Sequence, residues 1–303
     1  MGLERIIEIN RNNRHLSLDC GFMKVEEKRD VVTKIPLNDI AAVIVSAHGI
    51  TYSHPLLVAL ADRGAIMVFC GKNHMPVAFL CSVDGNFRQS ARINAQINAT
   101  KPMRKSLWKQ IIQEKILQQA RVLQGLNKPF MPVKALAHKV RAGDPCNIEA
   151  QAAKRYWSLL FGQDFRRNKE LGGINSLLNY GYTVIRTATA RAIMGSGLHP
   201  SLGIYHSNAG NAMCLVDDLV EPFRPFVDMC VYHLHLQHKE VVNSETKKIL
   251  AGVLDMASFS HKGVTSLSNA IQNASTSLAM IYEGLGEKLE FPSFKIDSLS
   301  STL

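Results

Sequence analysis

The hydrophobic pattern of this chain changes near Arg88, and the change divides the sequence into two parts. Before it, short apolar segments alternate with Gly, Pro, Asn and Asp, a pattern typical of β-strands. After it, apolar residues recur at helical spacing in segments such as Met103–Leu126 and Ile174–Gly195. At 303 residues, the chain has room for two ordinary domains. The sequence therefore predicts an α+β protein with a small β-sheet domain followed by a larger helical domain.

The predicted domains are residues 1–85 (β domain), 86–290 (helical domain) and 291–303 (a flexible, Ser-rich tail). In the first of these we predict a pair of sheets and one helix, Leu56–Asp62, which ends before Gly64. The predicted strands are Arg5–Ile9, Leu16–Asp19, Met23–Glu26, Val31–Ile35, Ile40–Val45, Ala65–Phe69 and Val77–Ser82.

Positive charge is concentrated in one region of the helical part. Residues 101–170 contain 15 Lys or Arg and 5 Asp or Glu, an excess of ten that equals the net charge of +10 for the whole chain. Such concentration favours a surface for a polyanion, most often nucleic acid, over charge that only maintains solubility. A solvated helical face remains an alternative explanation for part of this charge excess.

Several classes of protein are disfavoured by the sequence. Residues 1–10 lack the apolar core of a secretory signal, and no run of 18 apolar residues is present, so we expect a cytoplasmic protein without a membrane span. The six cysteines show no CxxC spacing, which argues against a zinc ribbon and a disulfide framework.

The stretch Gly197–Asp228 combines a histidine with closely following acids. His206 lies in a small polar loop, and Asp217, Asp218 and Glu221 follow on a helix predicted to start near Ala212. Glu221 can share a face with either aspartate, whereas the two aspartates point about 100° apart. Because Pro222 disfavours helical geometry before it, the helix should kink or end near Glu221, and His206 can then fold back to meet it. A capped, solvated helix is the competing interpretation.

Glu149 is a further candidate ligand. Asp144-Pro145 predicts a helix start, with the helix continuing to Phe161. Within that helix Glu149 faces the small and apolar side, where a buried carboxylate needs a neutralising partner such as a metal. An acid near a helix N-terminus also stabilises the helix through its dipole, which explains Glu149 equally well. Spacing alone leaves both interpretations open.

Four motifs in order carry a family resemblance: Asn147-Ile148-Glu149-Ala150 leading into Tyr156-Trp157; Leu178-Asn179-Tyr180-Gly181-Tyr182 with Arg186; Gly197-Leu198-His199-Pro200 with Leu202-Gly203-Ile204-Tyr205-His206; and Asp218-Leu219-Val220-Glu221-Pro222-Phe223-Arg224-Pro225. Together they make the chain resemble, over essentially its full length, the CRISPR-associated integrase of spacer acquisition, the universal Cas endonuclease subunit. The compact type II form is the most similar.

The resemblance implies a metal site formed by Glu149, His206 and Glu221, with Asp218, Tyr180 and Asn179 in the surrounding shell and Asp217 as an alternative acid. It also implies Mg²⁺ or Mn²⁺. The ligand chemistry agrees, since carboxylate oxygens suit hard cations and one imidazole shifts the preference towards Mn²⁺.

The implied reaction is transesterification, in which the 3′-hydroxyl of a short DNA fragment attacks a phosphodiester at the edge of a CRISPR repeat. The expected partners are double-stranded DNA, a second copy bound through the β domain, a small adaptation protein and, as a further candidate, the RNA-guided effector nuclease. The expected DNA-binding residues are Lys154, Arg155, Arg166, Arg167 and Arg224.

Two other functions remain open: a metal-dependent nuclease of branched DNA that joins nothing, and a non-catalytic nucleic-acid-binding scaffold. A di-iron helical bundle is disfavoured because the chain has no Glu-x-x-His pair.

Overall fold

The computed structural model describes residues 5–71, 76–83, 86, 88–260 and 263–293. The chain forms two compact units, Met1–Phe87 and Arg88–Leu303. The first contains sheets and the second is mostly helical, which confirms the predicted α+β class. Within the described ranges, no helix is both long enough and apolar enough to cross a bilayer.

The first unit contains two four-stranded sheets and helix α1 (His54–Asp62). Its strands are β1 (Arg5–Ile9), β2 (Arg14–Asp19), β3 (Phe22–Glu27), β4 (Asp30–Pro36), β5 (Ile40–Val45), β6 (Thr51–Tyr52), β7 (Ile66–Cys70) and β8 (Pro76–Leu80). One sheet has the order β1-β5-β7-β8, with β8 antiparallel to its neighbour, and the other has the order β4-β3-β2-β6. Every residue of β5 is buried, as expected for an apolar central strand covered on both faces.

The second unit contains two long helices together with shorter helices and a hairpin. The helices are α2 (Gln89–Ile97), α3 (Lys101–Gly125), α4 (Met131–Ala137), α5 (Ile148–Phe161), α6 (Ile174–Gly195), α7 (Cys214–Leu219), α8 (Arg224–Leu236), α9 (Ser244–Ala251) and α10 (Leu267–Tyr282). The hairpin consists of β9 (Ala257–Ser260) and β10 (Gly263–Ser266).

Helices α6 and α8 pack unusually closely at Gly181. A Cβ atom at this position would overlap Cγ1 of Val227, so only glycine allows the two helices to approach this closely. The mid-helix glycine noted in the sequence therefore marks a helix–helix contact.

Some predicted boundaries are wrong. The helix carrying Glu149 begins at Ile148, not at Pro145, because Asp144 adopts a positive φ and uses its carboxylate to accept the backbone N–H groups of Ile148 and Glu149. The β9–β10 hairpin lies within residues 86–290, the domain that was predicted to be helical as a whole. Of the predicted tail, Ser293 pairs with Phe259 through the backbone, and residues 294–303 lie outside the described part.

Candidate metal centre

Glu221 lies at a break between two helices. Helix α7 ends at Leu219, a 3₁₀ turn covers Glu221–Phe223, and α8 begins at Arg224, so the predicted interruption near Glu221 is confirmed. Pro222 and Pro225 both lie in the first turn of their elements, where a missing N–H costs little. The break places the carboxylate in the protein interior, with only 9% of the side chain exposed.

Two cations hold the Glu221 carboxylate. Nη2 of Arg224 lies 3.0 Å from Oε1, and Nζ of Lys115, from α3, lies 2.6 Å from Oε2. Burial alone would raise the pKa of Glu221, but Arg224 and Lys115 outweigh it and keep that pKa below its usual value. Glu221 is therefore an ionised carboxylate that is largely shielded from bulk water.

The same lysine reaches Glu149. Nζ of Lys115 donates to Oε1 of Glu149 at 2.5 Å, so two carboxylates from different helices converge on one ammonium group. Glu149 lies in the first turn of α5, where the side chain of Asn147 caps the helix by accepting the N–H of Ala150. Its carboxylate is thus directed to a neighbouring helix, and dipole support alone does not account for its position.

His206 is oriented by Asp218, which is fully buried. The Asp218 carboxylate accepts the backbone N–H groups of Ile204, Tyr205 and His206 at 2.7, 2.9 and 3.3 Å. Its Oδ1 also lies 2.6 Å from Nδ1 of the His206 ring. Because a carboxylate only accepts, Nδ1 carries the hydrogen and Nε2 is left with a free lone pair in the neutral ring.

Asp218 thereby performs the task that carboxylates perform behind metal-binding histidines, fixing ring orientation and tautomer. Its hydrogen bond also raises the pKa of His206. The loop can approach this closely because residue 203 is glycine, since a Cβ there would overlap the carbonyl oxygen of His206 and lie 3.0 Å from Oδ2 of Asp218.

Trp108 connects the histidine loop to α3. The Tyr205 ring stacks on Trp108 with centroids 4.4 Å apart, and the His206 ring meets Trp108 edge-on at 5.8 Å. Trp108 and Lys115 are seven residues apart and therefore lie on the same face of α3. That face carries both the contact to His206 and the contact to the two glutamates.

The donor set fits a divalent cation only if Lys115 withdraws. Among the described residues, no three His, Cys, Asp or Glu side chains are grouped closely enough to hold a metal as they stand. Yet the carboxylates of Glu149 and Glu221 already share the ammonium group of Lys115. Oε2 of Glu221 is also buried without a hydrogen bond. The 2.6 Å contact of that atom with Lys115 is an ion pair whose angles do not suit a hydrogen bond. Two carboxylates and an oriented imidazole are ligands suited to Mg²⁺ or Mn²⁺.

Comparison with known proteins identifies the family. The family model described as CRISPR associated protein Cas1 matches residues 7–254. The chain belongs to the Cas1 family. A CRISPR-associated endonuclease Cas1 from Neisseria meningitidis serogroup C (strain 8013) is 37% identical over 229 residues, which cover 75% of each chain.

Solved structures show the same fold at low identity. A casposase bound to an integration product is 19% identical, with a TM-score of 0.80 over 97% of this chain and 95% of its own. A Cas6-RT-Cas1–Cas2 complex is 16% identical, with a TM-score of 0.73 over 94% of this chain and 36% of the other.

The two neighbouring aspartates of this Cas1 protein have different partners. Asp218 binds the histidine loop, whereas Asp217 forms a two-pronged ion pair with Arg186 at 2.6 and 3.3 Å and accepts from Asn211 at 2.8 Å. This divergence follows from the angle of about 100° between consecutive helical residues. Asp217 is therefore already paired, and nothing in its contacts favours it over Glu221 as a ligand.

Asn179 and Tyr180, predicted near the metal, have other partners. Asn179 accepts from Arg167 at 2.6 Å and donates to the carbonyl of Lys169, while Lys247 lies 5.2 Å from the centre of the Tyr180 ring. None of these partners is a predicted ligand, so their place beside the metal stays a prediction.

Tyr182, which lies in the same sequence motif as Tyr180, contacts the surroundings of the site. Its ring lies 4.8 Å from the Arg224 guanidinium, which holds Glu221. Its hydroxyl donates to Oδ1 of Asp228 at 2.5 Å, and Tyr156 of α5 donates to Oδ2 at 3.0 Å. Burial raises the pKa of Asp228 to about 7, although both tyrosines stabilise the ionised form.

The predicted DNA-binding residues separate into two groups. A concavity of about 750 Å³, here called the basic concavity, is lined by Gln151, Lys154, Arg155, Trp157, Ser158, Gln163, Phe165, Arg166 and Arg167. Arg224 is different because its guanidinium pairs with Glu221, and its contact with DNA stays a prediction.

Lys115 and Trp108 are the site residues that sequence reasoning missed. Their seven-residue spacing on α3 is an ordinary helical repeat, and nothing local distinguishes a lysine that pairs with distant acids from one in solvent.

Proposed function

We propose that this Cas1 protein is a metal-dependent DNA integrase and endonuclease that inserts short DNA fragments into a CRISPR array. The 3′-hydroxyl of the fragment attacks a phosphodiester at the edge of a repeat, forming one P–O bond as another breaks. With water as the nucleophile, the same centre cuts DNA. The Neisseria relative is named an endonuclease and the similar casposase was solved with an integration product, which supports both activities.

The observation that carries this function is the convergence of Glu149 and Glu221 on one cation beside an oriented His206. The fold brings acids from a helix and from a chain break to one buried ammonium group, and their carboxylate oxygens are suited to a hard metal ion. A capped, solvated helix would leave these carboxylates in water.

Each residue has a separate task in the proposed reaction. Glu149, His206 and Glu221 would hold Mg²⁺ or Mn²⁺, which would activate the attacking hydroxyl and neutralise charge at the phosphate. Arg224 keeps Glu221 ionised and fixes one of its oxygens. Asp218 holds the hydrogen on Nδ1 of His206 and so leaves Nε2 available as a ligand.

DNA would approach over the basic concavity, where Lys154, Arg155 and Arg166 line the surface. Such cations bind phosphates without reading sequence and position the duplex for the reaction. A small adaptation protein is the expected partner, since a Cas6-RT-Cas1–Cas2 complex contains a chain of this fold. We extend the proposal to a homodimer, to a type II-like setting with the RNA-guided effector nuclease, and to the cytoplasm.

The test is a strand-joining assay. The protein, its small partner and a duplex with free 3′-hydroxyls are incubated with a repeat-bearing supercoiled plasmid in Mn²⁺. Joined product should be lost with EDTA and in Glu149→Ala, His206→Ala and Glu221→Ala, and retained in Glu170→Ala, a matched exposed acid.

The outcome also separates the competing functions. Cleavage without joining, dependent on the same residues, would favour the nuclease of branched DNA. DNA binding without any chemistry, unchanged in the three variants, would favour the scaffold.

A further inference from the structure

The centre of the site contains a lysine with no role in the proposed reaction. Lys115 extends from the middle of α3, and only 12% of its side chain is exposed. A lysine normally keeps its ammonium group in water even when its stem is buried. Here the ammonium group lies between Glu149 and Glu221.

We propose that Lys115 is an exchangeable counter-ion of the metal centre. Its ammonium group holds Glu149 and Glu221 together before a divalent cation binds, and it leaves the two carboxylates when the cation arrives. Lys115 thereby sets the metal affinity of the site. This inference rests on the proposed function, because it assumes that the two glutamates are metal ligands.

Geometry makes the two cations mutually exclusive. Nζ of Lys115 lies 2.5 Å from Oε1 of Glu149 and 2.6 Å from Oε2 of Glu221. A Mg²⁺ ion bound to the same oxygens would lie about 2.0–2.1 Å from each, which leaves no room for an ammonium group between them. The lysine therefore has to move before both glutamates can bind one metal ion.

The two contacts of the Lys115 ammonium group differ in geometry. Lys115 makes a hydrogen bond to Glu149, but its contact with Oε2 of Glu221 lacks hydrogen-bond geometry. That oxygen has no other hydrogen-bond partner among the described residues, whereas the opposite oxygen stays with Arg224. Exchange of the Lys115 ammonium group for a metal ion thus leaves the contact between Arg224 and Glu221 intact.

Charge balance favours exchange over simple addition. The acids Glu149, Glu221 and Asp218 contribute three negative charges, and Lys115 and Arg224 contribute two positive ones, leaving a net charge of −1. A divalent cation would bring the cluster to +1 if the lysine stayed and to 0 if it left. Uncompensated charge is costly in a buried site, so departure of the lysine is favoured.

The first test is metal binding without DNA. Calorimetric titration with MnCl₂ should give an apparent Kd about tenfold tighter in Lys115→Met than in wild type, because the competing charge is gone. Without metal, the Tm of Lys115→Met should fall by roughly 5–10 °C, since two buried acids lose their counter-ion. Mn²⁺ should restore most of that loss. Lys109→Met, six residues earlier on α3, is the matched control and should behave as wild type.

A second measurement uses the wild-type protein and does not depend on a variant that folds. Acetylation of lysines by a limiting reagent, read by mass spectrometry, should label Lys115 poorly without metal and several-fold more with Mn²⁺. Labelling of Lys109 should not change.

The outcomes separate this inference from the proposed function. Equal Mn²⁺ affinity in wild type and Lys115→Met, or unchanged labelling of Lys115, would overturn the exchange and leave the metal centre standing. Absence of Mn²⁺ binding in every form of the protein would overturn the metal centre itself.

Discussion

Replacing Asp218 with asparagine should misalign His206 with almost no change in volume. In wild type, Oδ2 accepts the N–H groups of Ile204 and Tyr205, and Oδ1 accepts the N–H and ring Nδ1–H of His206. An amide offers only one accepting oxygen. Whichever way the amide of the Asp218→Asn variant turns, its NH₂ group faces two donors.

The magnitude follows from the two lost bonds. Hydrogen bonds to a charged group contribute about 1.5–3 kcal/mol each, so the free energy of unfolding should fall by about 3–6 kcal/mol. If the NH₂ group faces His206, the ring has to present Nδ1 as an acceptor, and Nε2 then carries the hydrogen. That tautomer cannot bind a metal through Nε2, and loss of such an orienting carboxylate typically costs about 10–100-fold in metal affinity.

The assays are Mn²⁺ titration calorimetry and nitrogen NMR of the His206 ring. Asp217→Asn is the matched control, since this neighbour pairs with Arg186 and should leave the His206 tautomer unchanged. If Asp218 acts through His206, Asp218→Asn should add little to the loss of Mn²⁺ affinity already caused by His206→Ala. A wild-type free energy of unfolding together with wild-type Mn²⁺ affinity in Asp218→Asn would refute this reasoning.

Three further perturbations have defined outcomes. Gly203→Ala should displace the His206 loop and lower Mn²⁺ affinity with an intact far-UV spectrum, because its Cβ would overlap the His206 carbonyl; unchanged affinity would contradict the tight approach. The pKa of Asp228 is raised to about 7, so the native state binds the extra proton, and stability should fall as the pH rises from about 4 to 7. Urea unfolding should show this slope reduced in Asp228→Asn, and equal slopes would exclude Asp228 as its source. The double variant Arg155→Ala/Arg166→Ala should reduce the salt dependence of DNA binding by a slope of about 2 without changing Mn²⁺ affinity, whereas an unchanged slope would place the DNA elsewhere.

The class of fold was predictable because periodicity is a local property. Alternating and short apolar segments specified the strands, and helical repeats specified α3 and α6. The break at Glu221 was predictable for the same reason, since each proline constrains its own neighbours. The start of α5 was misplaced because Asp144, although a good capping residue, caps from outside the helix in a left-handed conformation.

The site was only partly predictable because its partners are distant in sequence. The spacing showed that Asp217 and Asp218 point in different directions, but not which one meets the histidine. That choice depends on Arg186 on one side and the 203–206 loop on the other. Lys115 was not predictable from its neighbours, since its acids are 34 and 106 residues away.

The candidate metal ligands and the residues of α3 that contact them lie in different kinds of backbone structure. Glu149 lies in a first helical turn, Glu221 at a break between helices and His206 in a loop, so the candidate ligands lie where the chain changes direction. Two of the residues that contact them, Trp108 and Lys115, lie inside the long helix α3. Breaks in the chain let side chains from separate elements converge. Side chains on a long, packed helix are positioned more precisely than side chains on loops. A kink in α3 would therefore displace the histidine contact and both glutamate contacts together.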